Sequence, residues 1–252
     1  MVALMSVAGA CASGDRGSAS PPSSAAPTTT SAAGTTTQTA PATAGTTQAA
    51  SAPAGQGAPR SFKAEVWADN WFSLYVNGAL VGQDTVPITT ERSFNSETIP
   101  FAASYPFTIA MITKDYAEND TGLEYIGTGR QQMGDGGFIA QITDTSTGEV
   151  VAVTGTDWRG LLVQRAPLDP SCEKSSNPTV DCTFERVPEP EGWAATSFDD
   201  SAWVAATVHT ADEVRPQGDY ATITWDPAAS LIWTSSLKQD NTILWRHTVE
   251  AP

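Results

Sequence analysis

The feature that most constrains the fold is an Asn-Gly pair that follows a strand-like stretch. Residues 71–76, WFSLYV, alternate Phe, Leu and Val with other side chains, which is the period of a half-buried β-strand. Asn77 and Gly78 come next, and both tolerate the positive φ that a two-residue hairpin turn requires. Leu80 and Val81 begin the returning strand. The sequence therefore predicts a β-hairpin here, introduced by a turn at residues 69–70.

The side chains that a core needs lie beyond residue 60, where all eight Trp, eight Phe and five Tyr are found. Residues 12–60 consist almost entirely of Ala, Ser, Thr, Pro, Gly and Gln. Such a segment cannot bury enough apolar surface to offset chain entropy, so a disordered linker is predicted. Residues 61–252 are long enough for one domain with a sizeable core.

The net charge argues against nucleic acid as a partner. The whole chain carries a formal charge of −15. Residues 61–252 hold 11 basic and 27 acidic side chains, a net charge of −16. A domain of this charge repels a phosphate backbone, so we expect no binding of nucleic acid.

Residues 1–11 form an apolar segment that is too short to span a bilayer as a helix. Its last residues, Ala8-Gly9-Ala10-Cys11, resemble the lipobox at the end of a bacterial secretory signal. The resemblance implies that Cys11 receives a diacylglyceryl group. We therefore expect an anchor on the extracellular face of a bacterial cell membrane, with residues 12–60 as its tether. The alternative is an apolar N-terminus with an incidental thiol.

Two further cysteines, Cys172 and Cys182, lie ten residues apart in a Pro- and Ser-rich stretch. Neither His nor a third Cys is near them, so a zinc site lacks ligands. An oxidising compartment would favour a disulfide between them, and two free thiols are the alternative.

Short runs of β-branched and aromatic residues recur between turn-forming residues. In addition to the hairpin, strands are predicted at 61–67, 97–101, 107–114, 138–143, 149–153, 158–164, 205–210, 231–233 and 242–249. Pro100 would confine the strand at 97–101 to a sheet edge. Short strands in this number, with no helical period longer than about two turns, predict an all-β sandwich. A long loop rich in Gly and Asp is predicted at 115–137.

Three stretches occur in a recognisable order. They are DNWFSLYVNG at 69–78, GW at 192–193 with FDDSAW at 198–203, and IW at 232–233 with NTILWR at 241–246. Together with Trp158 they resemble galactose-binding-like β-sandwich domains attached to bacterial glycoside hydrolases such as rhamnosidases and β-galactosidases. The resemblance spans about residues 62–249. It implies a jelly roll of eight or nine strands, often with structural calcium, whose loops at one end often bind carbohydrate.

The acidic part of the long loop is the candidate calcium site. It offers hard oxygen ligands from Asp115, Glu118, Asn119 and Asp120, although their spacing is not that of an EF-hand. The alternative is a solvated acidic loop. Asp199 and Asp200 are predicted to form a turn rather than to bind a ligand.

Aromatic rings near this loop are candidates for stacking on a sugar. The predicted ligand-binding residues are Trp71, Tyr116, Tyr125 and Arg130. For Trp71 the alternative is packing beneath the hairpin, since most of the tryptophans must belong to the core.

No arrangement of nucleophile and base is apparent, and His209 and His247 are the only histidines. We therefore expect a non-catalytic binding module, with a glycan or another cell-envelope component as its ligand. An aromatic and polar cleft at one end of the sandwich would favour this function. A broad apolar or edge-strand surface would favour an adhesion or assembly protein, and two carboxylates converging in a pocket would favour a hydrolase.

Overall fold

Fifteen β-strands and four short helices form the regular structure of the residues described. The computed structural model describes residues 57–88 and 92–252. Cys11, the predicted signal segment 1–11 and residues 12–56 of the predicted linker lie outside the described residues. Within them, no helix has the length and apolar character needed to cross a membrane.

The elements follow the chain in short, closely spaced segments. The strands are β1 (Arg60–Asp69), β2 (Trp71–Val76), β3 (Ala79–Gln83), β4 (Ser96–Ala103), β5 (Phe107–Lys114), β6 (Leu123–Glu124), β7 (Gln132–Met133), β8 (Gly137–Asp144), β9 (Val150–Val153), β10 (Arg159–Arg165), β11 (Glu185–Arg186), β12 (Val204–Ala205), β13 (Thr207–His209), β14 (Leu231–Trp233) and β15 (Asp240–Val249). The helices are α1 (Pro178–Asp181), α2 (Ala211–Val214) and two 3-10 helices, Pro170–Lys174 and Gly218–Thr222.

Two antiparallel sheets pack face to face, which confirms the predicted all-β sandwich and is compatible with a jelly roll. The first sheet has the order β13-β14-β8-β1-β4, with β9 paired to β8. The second has the order β11-β10-β15-β5-β2-β3, with β12 paired to β10. β4 lies at the edge of its sheet, as Pro100 predicted.

The predicted hairpin is present as β2 and β3. Its turn residues Asn77 and Gly78 have φ values of 51° and 85°, as a type I′ turn requires. Oδ1 of Asn77 accepts a hydrogen bond from the Thr108 N–H at 2.8 Å, and its own N–H donates to the Thr108 carbonyl at 2.9 Å. The turn therefore attaches the hairpin to β5 in the middle of the second sheet.

The alternation in β2 divides its side chains between two clusters. Phe72 and Leu74 are fully buried in the core between the sheets. Trp71 and Tyr75 point to the outer face of the second sheet, where Tyr75 contacts the ring of Trp193 at 5.5 Å between centroids. The segment 188–203 therefore covers this face as an additional layer.

Buried Arg246 of β15 holds this covering segment in place. It pairs with Asp200 and donates a hydrogen bond to the Trp193 carbonyl. Asp199 accepts from the Ser201 N–H at 3.0 Å, which confirms its predicted place in a turn. Asp200 has the further role of an ion-pair partner, which the sequence did not indicate.

The structure has more strands than the sequence predicts. Four of the additional strands, β6, β7, β11 and β12, have two residues each. A two-residue ladder leaves no hydrophobic period in the sequence, so pattern analysis does not detect it. Two of them, β6 and β7, form a small hairpin inside the segment that was predicted to be an irregular loop.

Candidate functional site

The register of the two sheets brings several strand ends together at one end of the sandwich. In the first sheet Asp69, the last residue of β1, pairs with Gly137, the first residue of β8. In the second sheet Lys114, the last residue of β5, pairs with Trp71 and with Thr242. The segment 115–136, which connects β5 to β8, therefore lies at this end.

This segment forms one wall of a pocket of about 350 Å³. The opposite walls come from the residues before β4 and from the segment after α2. Charged, amide and aromatic side chains share the lining, whose described residues are Arg92, Phe94, Glu124, Tyr125, Arg130, Gln132, Asp135 and Gln217. A pocket with this mixed lining can both stack on a ring and form directional hydrogen bonds.

Trp67, near the end of β1, fixes two of the walls. Its indole N–H donates to the carbonyl oxygens of Phe94 at 3.2 Å and of Gln217 at 3.1 Å. The ring is fully buried, and it packs edge-on against Tyr220 at 5.5 Å. A core tryptophan thus holds together two segments that are far apart in the sequence.

Tyr125 and Arg130 form a stacked pair at the pocket. The guanidinium carbon of Arg130 lies 4.0 Å from the centre of the Tyr125 ring. The backbone between them turns tightly, because the Thr128 N–H and hydroxyl donate to the Tyr125 carbonyl at 3.1 and 2.7 Å. Stacking restricts the arginine while leaving its in-plane N–H donors for a ligand.

The β6–β7 hairpin presents Glu124 and Gln132 as a cross-strand pair. Gln132 Nε2 donates to Glu124 Oε2 at 2.9 Å. The side chain of Glu124 is buried, whereas that of Gln132 is exposed. A carboxylate and an amide are thus held side by side in the pocket wall.

The Cys172–Cys182 disulfide supports this hairpin. The bond itself confirms the prediction from the sequence. Both half-cystines pack against Leu123, and Gln131 Nε2 donates to the carbonyl oxygens of Glu173 and Ser175 at 2.8 Å. The cross-linked loop therefore serves as a base for the pocket wall.

Two further carboxyl groups, those of Asp69 and Asp115, are buried at the same end of the sandwich. Burial raises the pKa of Asp69 well above its usual range, and the charges of Asp135 and Glu124 raise it further. Burial also raises the pKa of Asp115, with additional increases from Asp69, Glu124 and Asp135. The four carboxyl groups therefore lie within electrostatic range of one another.

Asp135 belongs both to this group and to the pocket lining. Partial burial raises the pKa of its carboxyl, and the positive charges of Arg215 and Lys238 oppose that increase. The pocket thus has two acidic groups, Glu124 and Asp135, in contact with its volume.

The structure brings two of the four predicted ligand-binding residues into the pocket, namely Tyr125 and Arg130. Trp71 lies elsewhere, in the outer cluster of the second sheet, with the Lys114 ammonium 5.3 Å from its ring centre. Tyr116 follows Asp115, and its N–H donates to Asn70 Oδ1 at 2.5 Å. It is not among the residues that line the pocket.

The four predicted metal-binding residues have different surroundings. Glu118 Oε1 accepts from the Ile126 N–H at 2.7 Å, and Asn119 Oδ1 accepts from the Thr121 N–H at 2.9 Å. Asp120 forms an ion pair with Arg186.

Asp115, Asn119 and Asp120 share the lining of a second, smaller depression of about 230 Å³. Asp115 differs from the other three in being almost fully buried. Across residues 57–88 and 92–252, no group of three or more Asp, Glu, His or Cys side chains has the arrangement of a metal site.

Both histidines have structural contacts. His209 Nε2 lies 2.9 Å from the Thr234 carbonyl oxygen. The ring of His247 stacks on Trp158 with 5.3 Å between centroids, and burial lowers its pKa while Asp157 opposes the decrease. Neither lines the pocket.

Several site residues were not identified from the sequence: Asp69, Arg92, Phe94, Glu124, Gln132, Asp135 and Gln217. The sequence predicts a turn at Asp69, because its place as the last residue of β1 depends on pairing with the distant strand β8. Glu124, Gln132 and Asp135 had a local signal, since each lies within the long loop predicted at 115–137, and loops of this length are often functional or mobile. The others come from segments that only the fold brings together.

Comparison of the chain with protein-family models, with curated proteins and with solved structures finds no match.

Proposed function

We propose that the domain is a non-catalytic carbohydrate-binding module and that the pocket between β4, the β6–β7 hairpin and the segment after α2 is its binding site. The observation that supports this most is the composition of one pocket. The stacked pair Tyr125 and Arg130 shares its lining with the carboxylates of Glu124 and Asp135 and with the Gln132 amide.

Each of these groups matches a part of a sugar. Carboxylates and amides accept or donate hydrogen bonds to neighbouring hydroxyls, and an aromatic ring packs against the apolar face of a pyranose. The volume of about 350 Å³ is at the small end of ligand sites, which suits one or two sugar units rather than a long chain.

The cellular setting that we propose is the extracellular face of a bacterial cell membrane, with attachment through Cys11 and a glycan of the envelope or surroundings as the ligand. This rests on the lipobox-like Ala8-Gly9-Ala10-Cys11 and the linker composition of residues 12–60. The Cys172–Cys182 disulfide is consistent with an oxidising compartment.

A glycan array with the purified full chain tests the binding function. We expect selective binding that Tyr125→Ala weakens at least tenfold. Phe184→Ala is the matched control, because Phe184 is also an aromatic ring beside an arginine, with Arg186 5.8 Å from its centre, but does not line the pocket. Absence of binding by the folded wild type would contradict the proposal and favour an adhesion protein that binds another protein.

A second candidate function is glycoside hydrolysis, which is favoured by the presence of both Glu124 and Asp135 in one pocket. Burial raises the pKa of Asp135, as a general acid requires. Binding remains the first proposal because it needs only this lining, whereas hydrolysis also needs a defined separation of the two carboxyl groups. Release of nitrophenol from aryl glycosides by the wild type, lost in Glu124→Gln and Asp135→Asn, would establish hydrolysis.

A further inference from the structure

Three buried side chains at the end of the sandwich have oxygen atoms without a hydrogen-bond donor in the described part of the chain. These atoms are Oδ1 of Asp69, Oδ1 of Asp115 and Oδ1 of Asn241. The residues are 3%, 4% and 2% exposed. Buried polar atoms are normally satisfied, and an unpartnered carboxylate oxygen in a protein interior is costly. Each of the three therefore needs a partner that residues 57–88 and 92–252 do not supply.

The three side chains belong to neighbouring strand ends. The Asp115 N–H donates to the Asn241 carbonyl at 2.8 Å, and Asn241 Nδ2 donates to Asp115 Oδ2 at 3.3 Å. The N–H of Asn70, which follows Asp69, donates to the carbonyl of Lys114 at 2.8 Å. Through these backbone hydrogen bonds, the end of β5 lies between Asn70, which follows β1, and Asn241 at the start of β15.

The backbone of the long loop closes over Asp115. A Cβ atom built on Gly134 would lie 2.0 Å from Asp115 Oδ2, so any side chain at this position would displace the Asp115 carboxyl group. The loop therefore covers the carboxylate without donating a hydrogen bond to its Oδ1 atom.

The geometry points to a divalent-cation site formed by Asp69, Asp115 and Asn241 through these Oδ1 atoms. Two carboxylates and an amide oxygen are hard donors of the type that Ca²⁺ and Mg²⁺ prefer, and water completes the coordination. The cation neutralises two buried negative charges and supplies the missing partner of all three oxygens. This site differs from the calcium site predicted from the sequence at Asp115, Glu118, Asn119 and Asp120. The two sites share only Asp115.

Titration of the purified full chain with CaCl₂, and separately with MgCl₂, after removal of metals with EDTA tests this inference without any glycan. We expect binding with a stoichiometry of one by calorimetry. At a hundredfold excess over Kd, one of the two cations should raise Tm by about 5–10 °C. Failure of the glycan array leaves this measurement unaffected, so the two proposals are separable.

Variants locate the site. Asp69→Asn and Asp115→Asn keep the side-chain shape, and each should abolish the cation-induced shift in Tm. Gly134→Ala should weaken binding at least tenfold by displacing Asp115. Glu118→Gln and Asp120→Asn are matched controls in the same loop and should retain the full shift. No heat and no shift with the wild type, or loss of the shift in the two controls alone, would overturn the inference.

Discussion

Arg246 donates a hydrogen bond from Nε to Asp200 Oδ2 at 2.8 Å, and only 2% of its side chain is exposed. Its Nη1 donates to the carbonyl oxygens of Trp193 at 2.5 Å and of Ala195 at 3.0 Å. The ring of Phe198 lies 5.4 Å from the guanidinium carbon. One arginine on a central strand therefore organises the layer that covers the second sheet.

Replacing this residue should destabilise the whole domain. Arg246→Met removes charged donors from buried carbonyl oxygens, so we expect the free energy of unfolding to fall by about 3–5 kcal/mol. Chemical denaturation followed by tryptophan fluorescence measures it. Arg186→Met is the control, since the ion pair of Arg186 with Asp120 is half exposed and its loss should cost at most about 1 kcal/mol. Equal losses in the two variants would contradict the role assigned to Arg246.

The second prediction concerns the hairpin turn and the effect of a side chain at Gly78 on stability. Gly78 has a φ of 85°, where a side chain is strained, so Gly78→Ala should lower the free energy of unfolding by about 1–2 kcal/mol. Gly129 has no atom within 4 Å of a built Cβ and no positive φ, so Gly129→Ala should be close to neutral. Urea unfolding of both variants provides the comparison, and a neutral Gly78→Ala would exclude the type I′ turn.

Removing the disulfide should loosen the pocket wall that it supports. The double variant Cys172→Ser with Cys182→Ser should lose about 2–3 kcal/mol of unfolding free energy, because the cross-link closes a short loop. Hydrogen exchange should accelerate first at residues 123–133, which pack on that loop. The β8–β9 hairpin is the internal reference and should keep its protection until global unfolding. Uniform acceleration in both hairpins would show that the disulfide does not support the wall selectively.

The burial of His247 leads us to expect that the free energy of unfolding depends on pH. Burial against Trp158 lowers its pKa in the folded state, so protonation favours the unfolded state. Its contribution to stability is present above the unfolded-state pKa of about 6.5 and is lost as the pH falls through the lower folded-state pKa. His247→Gln should therefore lose less stability than the wild type between pH 7.5 and 5.0, as measured by urea midpoints. His209→Gln removes the other histidine and is the comparison variant.

The fold was largely predictable because its signals are local. The alternation in residues 71–76, the Asn77-Gly78 turn and Pro100 at an edge each depend on a few consecutive residues, and the structure confirms them. The pairing of Cys172 with Cys182 was also local. Strands of two residues were missed, since their existence depends on a neighbour that the sequence does not identify.

The candidate site was predictable only in part, because several of its residues meet through pairing with strands that the sequence does not identify. Tyr125 and Arg130 are five residues apart in one loop, and they meet in the pocket. Asp69 and Asn241 are brought to the same end by strand β5, which pairs with both β2 and β15. Trp71, the first of the predicted ligand-binding residues, points to the face that the distant segment 188–203 covers, and this contact depends on residues far along the chain.

The direction of β1 places the start of the domain at the side remote from the pocket. This strand has ten residues, begins at Arg60 and ends beside the pocket at Asp69, so the chain enters roughly 30 Å from the pocket. β15 ends at the same remote side, where Val249 pairs with Phe107. The residues immediately before Arg60 are therefore attached at the side of the domain that is remote from the pocket. A tag or surface linkage fused at either end of the domain would be attached at this remote side, away from the pocket.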